Sequence, residues 1–138
     1  KLEAESVMHI ARSAEAAILA HARADAPREC CGLLIGTDTE IIDALAARNV
    51  AEQAETRYLI DPRDHLRAIR EARVRGLQVI GAYHSHPRSD ARPSATDAAE
   101  GFAHFLYVIV GLGVERPRMT GWIWFDGNFA PVALVRFS

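Results

Sequence analysis

The longest apolar run in the chain, Phe105 to Val114, is the stretch that most limits what the protein can become. It has about half of the ~20 residues that a membrane-spanning helix needs, so it does not cross a bilayer. An apolar run this short, ending in glycine, reads instead as a buried strand over Phe105 to Leu112. The neighbouring sequence supplies the elements that cover it. Ala4 to Ala24 carries Val7, Ile10, Ala14, Ala17 and Ile18 at spacings of three and four, which predicts an amphipathic helix. Asp25-Ala26-Pro27 stops that helix, and the run Cys30 to Ile35, closed by Gly36, predicts a second buried strand.

Further along, Glu40 to Val50 reads as a strand after the turn at Thr37-Asp38-Thr39, and Ala51 to Thr56 as a polar loop. Asp61-Pro62 has the form of an N-cap with proline at the first helical position. The helix it opens runs to about Arg75, with Leu66, Ile69 and Ala72 facing inward and Gly76 as its stop. Leu77 to His84 reads as a strand, Arg88 to Pro93 as a loop and Ser94 to Ala103 as a short helix. Thr120 to Phe125 and Ala130 to Phe137 read as two strands joined by a turn at Gly127-Asn128. Helices interleaved with mixed strands, followed by a hairpin-rich end, predict an α+β fold on a mixed sheet.

At 138 residues there is room for one domain, 1–138, and no linker or repeat divides it. Hydrophobic content of 49% with 25% charged residues is globular and excludes a disordered chain. The formal charge of -2 argues against a nucleic-acid partner that tracks phosphates, and no stretch suits a membrane. Cys30 and Cys31 are the only cysteines. Being adjacent, they cannot staple distant segments, and they fit a reducing, cytoplasmic setting. The sequence sets no oligomeric state.

Chemistry gathers at His84, His86, Ser94 and Asp97. Side chains two apart on a strand share a face, so both imidazoles can converge on one point. Ser94 and Asp97 stand three apart at a helix start, where a following loop can fold Asp97 back toward the histidines. Two histidines and a carboxylate suit Zn²⁺, with a fourth position left for water. Ser94-x-x-Asp97 alone is equally a helix cap, and His-x-His alone is a weak signal. The combined spacing H-x-H-x7-S-x-x-D arises by chance only about 0.0006 times in such a chain. His9, His21, His65 and His104 read as surface or helix-face residues.

The string from His84-Ser85-His86-Pro87 through Ser94-x-x-Asp97 resembles the signature of the JAMM (MPN+) metalloproteases without a departure. Pro27-Arg28-Glu29-Cys30-Cys31-Gly32-Leu33-Leu34-Ile35-Gly36 resembles the same family's upstream segment, and Gly81-Ala82-Tyr83 also fits. The likeness spans roughly Ala4 to Gly113. It implies a curved mixed sheet flanked by helices, similar to the cytidine deaminase core, and one zinc per chain held by His84, His86 and Asp97. It further implies that Glu29 acts as general base and that Ser94 donates to the oxyanion. A cytidine deaminase itself is excluded, because H-x-E and P-C-x-x-C are missing. An amidohydrolase barrel needs roughly 250 residues. A metal-free MPN scaffold that only binds partners is the non-enzyme alternative, yet every ligand is present.

The resemblance also bears on substrate. About eight residues separate Asp97 from the strand near Phe105, which leaves no space for a large insert that grips a second ubiquitin. The compact Glu-Cys-Cys-Gly form is similar to bacterial members associated with ubiquitin-like sulfur carriers. It implies hydrolysis after a carrier's C-terminal Gly-Gly, with release of cysteine as one outcome. A deubiquitinase-like isopeptidase, a small-peptide metallopeptidase and a phage or cell-wall role stand as alternatives. Segment 51–57 and loop 88–93 are the candidate walls of a groove for the tail.

Overall fold

Every residue of Leu106–Gly111 is buried, as the sequence predicts, and this strand is paired on both sides in a sheet that curves back onto itself. The computed structural model describes residues 6–95, 97 and 105–138. In chain order the described elements are β1 (Val7–Ala11), α1 (Arg12–Asp25), β2 (Cys31–Gly36), β3 (Glu40–Ala47) and α2 (Pro62–Val74). They continue with β4 (Gln78–His86), β5 (Leu106–Gly111), β6 (Arg118–Phe125) and β7 (Asn128–Phe137). The strand order is β1-β3-β2-β4-β5-β6-β7, and β7 pairs with β1 to close a barrel. β4 runs parallel to β5, β1 runs parallel to both β3 and β7, and the other pairs are antiparallel. The sheet is mixed, and it is closed as well as curved.

The first predicted helix is in fact two elements. Val7–Ala11 is a strand with Met8 and Ile10 buried and Val7 and His9 exposed, a period of two. Only from Arg12 does the chain become helical, with Ala14, Ile18 and Ala22 forming the buried stripe while Ala17 is exposed. Five residues are too few for periodicity to separate the two states. Pairing of β1 with β7 from Val7↔Ala133 to Ala11↔Phe137 decides for strand.

The second helix forms where its cap predicts: the Asp61 side chain accepts from the Arg63 amide and Pro62 opens the first turn. Its inward face differs from the expected one. Asp64, Ala68 and Ala72 are buried, whereas Leu66 and Ile69 are exposed. The reason is polar: the Asp64 carboxylate accepts from the Arg48 amide at 2.8 Å and from its guanidinium at 3.0 and 3.1 Å. That pairing turns the helix, and the small alanines let it lie close on the sheet.

β2 is buried on both faces. Cys30 and Leu34 join the main core with Met8, Ile10, Ile18, Leu106 and Ile123. Cys31 and Leu33 join a second cluster with Ala47 and Ala68, on which Tyr58 and Ile60 also pack. Close approach fixes one glycine here: a side chain on Gly32 would run into the Tyr83 ring. At the far end, the β6–β7 turn falls one residue earlier than predicted, at Asp126-Gly127. Both residues have positive φ, as a tight hairpin requires. Most of the predicted helix Ser94–Ala103 lies outside the described residues. No helix among the described residues is long and apolar enough to cross a membrane.

Candidate metal centre

β4 carries two histidines because it runs two residues past the predicted end, to His86. Its pairing with β2 sets His84 opposite Cys31, and extending the same register sets Glu29 opposite His86. Two hydrogen bonds hold that extension. Ser85 N donates to the Cys30 carbonyl at 3.1 Å, and Cys30 N donates to Ser85 Oγ at 2.8 Å. The strand thus delivers Glu29 to the histidines.

The metal-ligating spacing read from the sequence closes in space. His84 Nε2 lies 3.1 Å from Asp97 Oδ1, His86 Nε2 lies 3.2 Å from Asp97 Oδ2, and the two Nε2 atoms are 3.2 Å apart. All three side chains are buried, and one ligand atom from each falls within 4.8 Å of the others. His86 Nδ1 donates to the Asp90 carbonyl at 3.0 Å, which turns Nε2 toward Asp97 and the cluster. Two buried atoms nearby lack hydrogen-bond partners among the described residues: Glu29 Oε1 and His84 Nδ1. Three converging ligand atoms of the types zinc prefers, beside an unsatisfied carboxylate oxygen, fit a metal.

Ser94 and Asp97 form a reciprocal cap. Ser94 N donates to Asp97 Oδ2 at 2.8 Å, and Asp97 N donates to Ser94 Oγ at 3.0 Å. Capping and ligation are therefore compatible in one carboxylate. Ser94 is exposed, and because its oxygen is the acceptor in this cap, its own proton remains the group it can offer.

Burial raises the Glu29 carboxyl from 4.5 to about 7, His86 opposing and Asp97 assisting. Burial alone would also raise Asp97, but its hydrogen bonds with His84 and His86 win and hold it well below the carboxylate range. Complete burial pushes His84 toward its neutral form against the pull of Asp97. Burial likewise disfavours charge on His86, and its hydrogen bonds with Asp97 and the Asp90 carbonyl outweigh that and raise its pKa.

The Glu29 shift makes a prediction for the metal-free protein. Its folded pKa lies above the unfolded value, so the stability it contributes is full below about 4.5 and is lost as pH rises through about 7. Glu29→Gln is neutral at every pH. It should match the wild type near pH 4 and be more stable than the wild type near pH 8. Urea melts at both values read this directly. Equal midpoints near pH 8 would mean that the folded carboxylate is hydrated.

Sequence reasoning missed three contributors. Tyr58 stacks on His84 with ring centroids 4.4 Å apart. Asn49 ties the 51–60 stretch to the site: its side-chain nitrogen donates to the Glu29 carbonyl at 2.9 Å and to Arg57 at 3.1 Å. Its Oδ1 accepts from the amides of Ala51 and Leu59. Asp90, read only as part of a loop, orients His86 through its carbonyl. The turn-forming sequence after Pro87 was the available signal for Asp90. Tyr58 and Asn49 gave none. Of the other histidines, His21 bonds the buried Tyr83 hydroxyl at 2.7 Å, and His104 lies outside the described residues.

Known proteins share much of this sequence. The family described as prokaryotic homologs of the JAB domain matches residues 11–124. A desampylase of Haloferax volcanii is 33% identical over 94% of this chain and 96% of its own length. A probable TtuB-protein conjugate cleaving protease of Thermus thermophilus is 34% identical over 76% of this chain and 70% of its own. A CysO-cysteine peptidase of Mycobacterium tuberculosis is 34% identical over 67% of this chain and 66% of its own. A match over this much of the chain, together with relatives named as peptidases and a conjugate-cleaving protease, makes this protein a hydrolase of peptide or isopeptide bonds that belongs to the prokaryotic JAB-domain family.

Proposed function

We propose that the protein is a zinc peptidase that cleaves the amide bond after the C-terminal Gly-Gly of a ubiquitin-like sulfur carrier, with a carrier–cysteine adduct as its leading substrate. The observation that carries this reading is the convergence of His84, His86 and Asp97 beside the unpartnered Glu29 oxygen. Two imidazoles and one ionised carboxylate, all buried, suit one Zn²⁺ per chain. When bound, zinc would polarise the scissile carbonyl and make water nucleophilic at neutral pH.

The chain's own groups supply the rest. Glu29, with a pKa raised to about 7, takes a proton from the attacking water and passes it to the leaving nitrogen. Ser94 directs its hydroxyl at the carbonyl oxygen as negative charge builds there. A groove of about 370 Å³ beside Ser94, lined by Pro93, Trp122, Trp124 and Phe129, gives an extended tail somewhere to lie. A tail ending in two glycines passes where side chains would block it. The buried free cysteines Cys30 and Cys31 accord with a cytoplasmic setting.

The relative named for CysO-cysteine supports the adduct, and the one named for cleaving TtuB-protein conjugates supports an isopeptide substrate as the second reading. Mass spectrometry separates them. Carrier–cysteine, carrier–peptide and carrier–lysine conjugates are incubated with enzyme, with and without chelator. We expect chelator-sensitive release after Gly-Gly, fastest for the cysteine adduct, and strong slowing when the penultimate carrier glycine is alanine. Cleavage of the lysine conjugate alone would select the second reading. Equal cleavage of unrelated peptides would reject both.

A further inference from the structure

We propose that Asn49, just past the end of β3, is a positioning residue that sets where the Glu29 carboxylate stands. The inference rests on the reading of Glu29 as the general base and concerns what puts it there.

The Glu29 side chain does little to anchor itself. Its Oε1 is buried with no hydrogen-bond partner among the described residues, so that oxygen takes its position from the main chain. Both polar groups of the Glu29 backbone are engaged by the segment that follows β3. Glu29 N donates to the Ala54 carbonyl at 2.7 Å, and the Glu29 carbonyl accepts from Asn49 Nδ2 at 2.9 Å. The next residue is fixed from another side, where Cys30 N donates to Ser85 Oγ at 2.8 Å.

An asparagine amide has two N–H groups to give and two lone pairs to fill. All four are used here. Nδ2 donates to the carbonyls of Glu29 and Arg57 at 2.9 and 3.1 Å, while Oδ1 accepts from Ala51 N and Leu59 N at 3.0 and 3.1 Å. Turning the amide over would set oxygen against carbonyls and nitrogen against N–H groups, so its orientation is fixed. Asn49 is itself seated, because its own carbonyl accepts from the Arg28 guanidinium at 3.1 Å and its neighbour Val50 N donates to the Leu59 carbonyl at 2.8 Å. The bonds also bracket Tyr58, since the Arg57 carbonyl and the Leu59 amide belong to the peptides on either side of it. Tyr58 is the ring that stacks on His84. One side chain outside the metal-binding motif thus holds both the base and the aromatic cover of a histidine.

Two variants separate these bonds. Asn49→Asp keeps an oxygen for the Ala51 and Leu59 amides, but it has no N–H for Glu29 and Arg57 and turns a carboxylate toward their carbonyls. Asn49→Ala loses every bond. Amide exchange of the metal-free protein, followed by NMR, should quicken roughly tenfold at Glu29 in the Asp variant and stay slow at Ala51 and Leu59. In the Ala variant all three should quicken. The Leu33 and Leu34 amides in β2 should not change in either. With zinc loaded and carrier–cysteine or carrier–lysine conjugate as substrate, Asn49→Asp should lower kcat about 10–100-fold, with KM and zinc content close to wild type. Asn49→Ala should lower kcat as far and raise KM as well, and it serves if the Asp variant does not fold. Wild-type kcat in either variant would overturn the proposal. So would exchange that quickens equally in β2, or zinc lost in step with kcat, since both mark a merely structural role. A wild type that binds zinc yet cleaves no conjugate, with the exchange pattern as stated, would instead overturn the reading of Glu29 as the base and leave the hold of Asn49 on it standing.

Discussion

Freshly purified protein should carry about one equivalent of zinc, and His84→Ala or Asp97→Ala should lose most of it together with all measurable hydrolysis. The expectation follows from how little else the cluster has. The three ligand atoms lie within 4.8 Å of one another, and each alanine removes a third of the protein's donors. Asp97→Ala does more, because the same carboxylate accepts the Ser94 amide and completes the cap. Elemental analysis of both variants beside the wild type reads the result. Full retention of metal in both would remove these residues from the ligand set. Circular dichroism separates loss of metal from loss of fold.

Glu29→Gln should behave in the opposite way, keeping the metal and losing the reaction. The amide has nearly the shape of the acid but cannot carry a proton between water and leaving group, an effect typically worth ~10²–10⁴ in rate. The structure makes the comparison clean. Glu29 is held in place by its backbone, with its amide on the Ala54 carbonyl at 2.7 Å and its carbonyl on Asn49, so the variant need not move. Turnover numbers at saturating substrate, beside a metal assay, test it. Near-normal turnover would mean that the proton travels by another route, and loss of metal would make Glu29 a ligand.

The parts of this protein that the sequence made legible are those governed by local rules. The run Cys30 to Ile35 closed by Gly36 marked a buried strand, Asp61-Pro62 marked a helix start, and His84-x-His86 marked a shared strand face. Each rests on spacing or on the conformational habits of single residues. What stayed hidden depends on contacts between distant segments. Val7 to Ala11 suits either a helix or a strand until β7 lies beside it. The α2 face was misread because Asp64, a charged residue, turns inward to pair with Arg48, which is distant in sequence. Tyr58 is invisible as a site residue because nothing near it in sequence says that it will lie against His84.

Asn49 has a consequence for how such a protein diversifies. Its amide group grips main-chain atoms: the carbonyls of Glu29, Ala54 and Arg57, and the amides of Ala51 and Leu59. Those atoms are the same whatever side chains the segment carries. One asparagine therefore anchors the segment beside Glu29 while leaving that segment's exposed residues open to rewriting. Drift in the exposed side chains of that stretch therefore leaves the main-chain hold on Glu29 intact, and selection can act on the two separately.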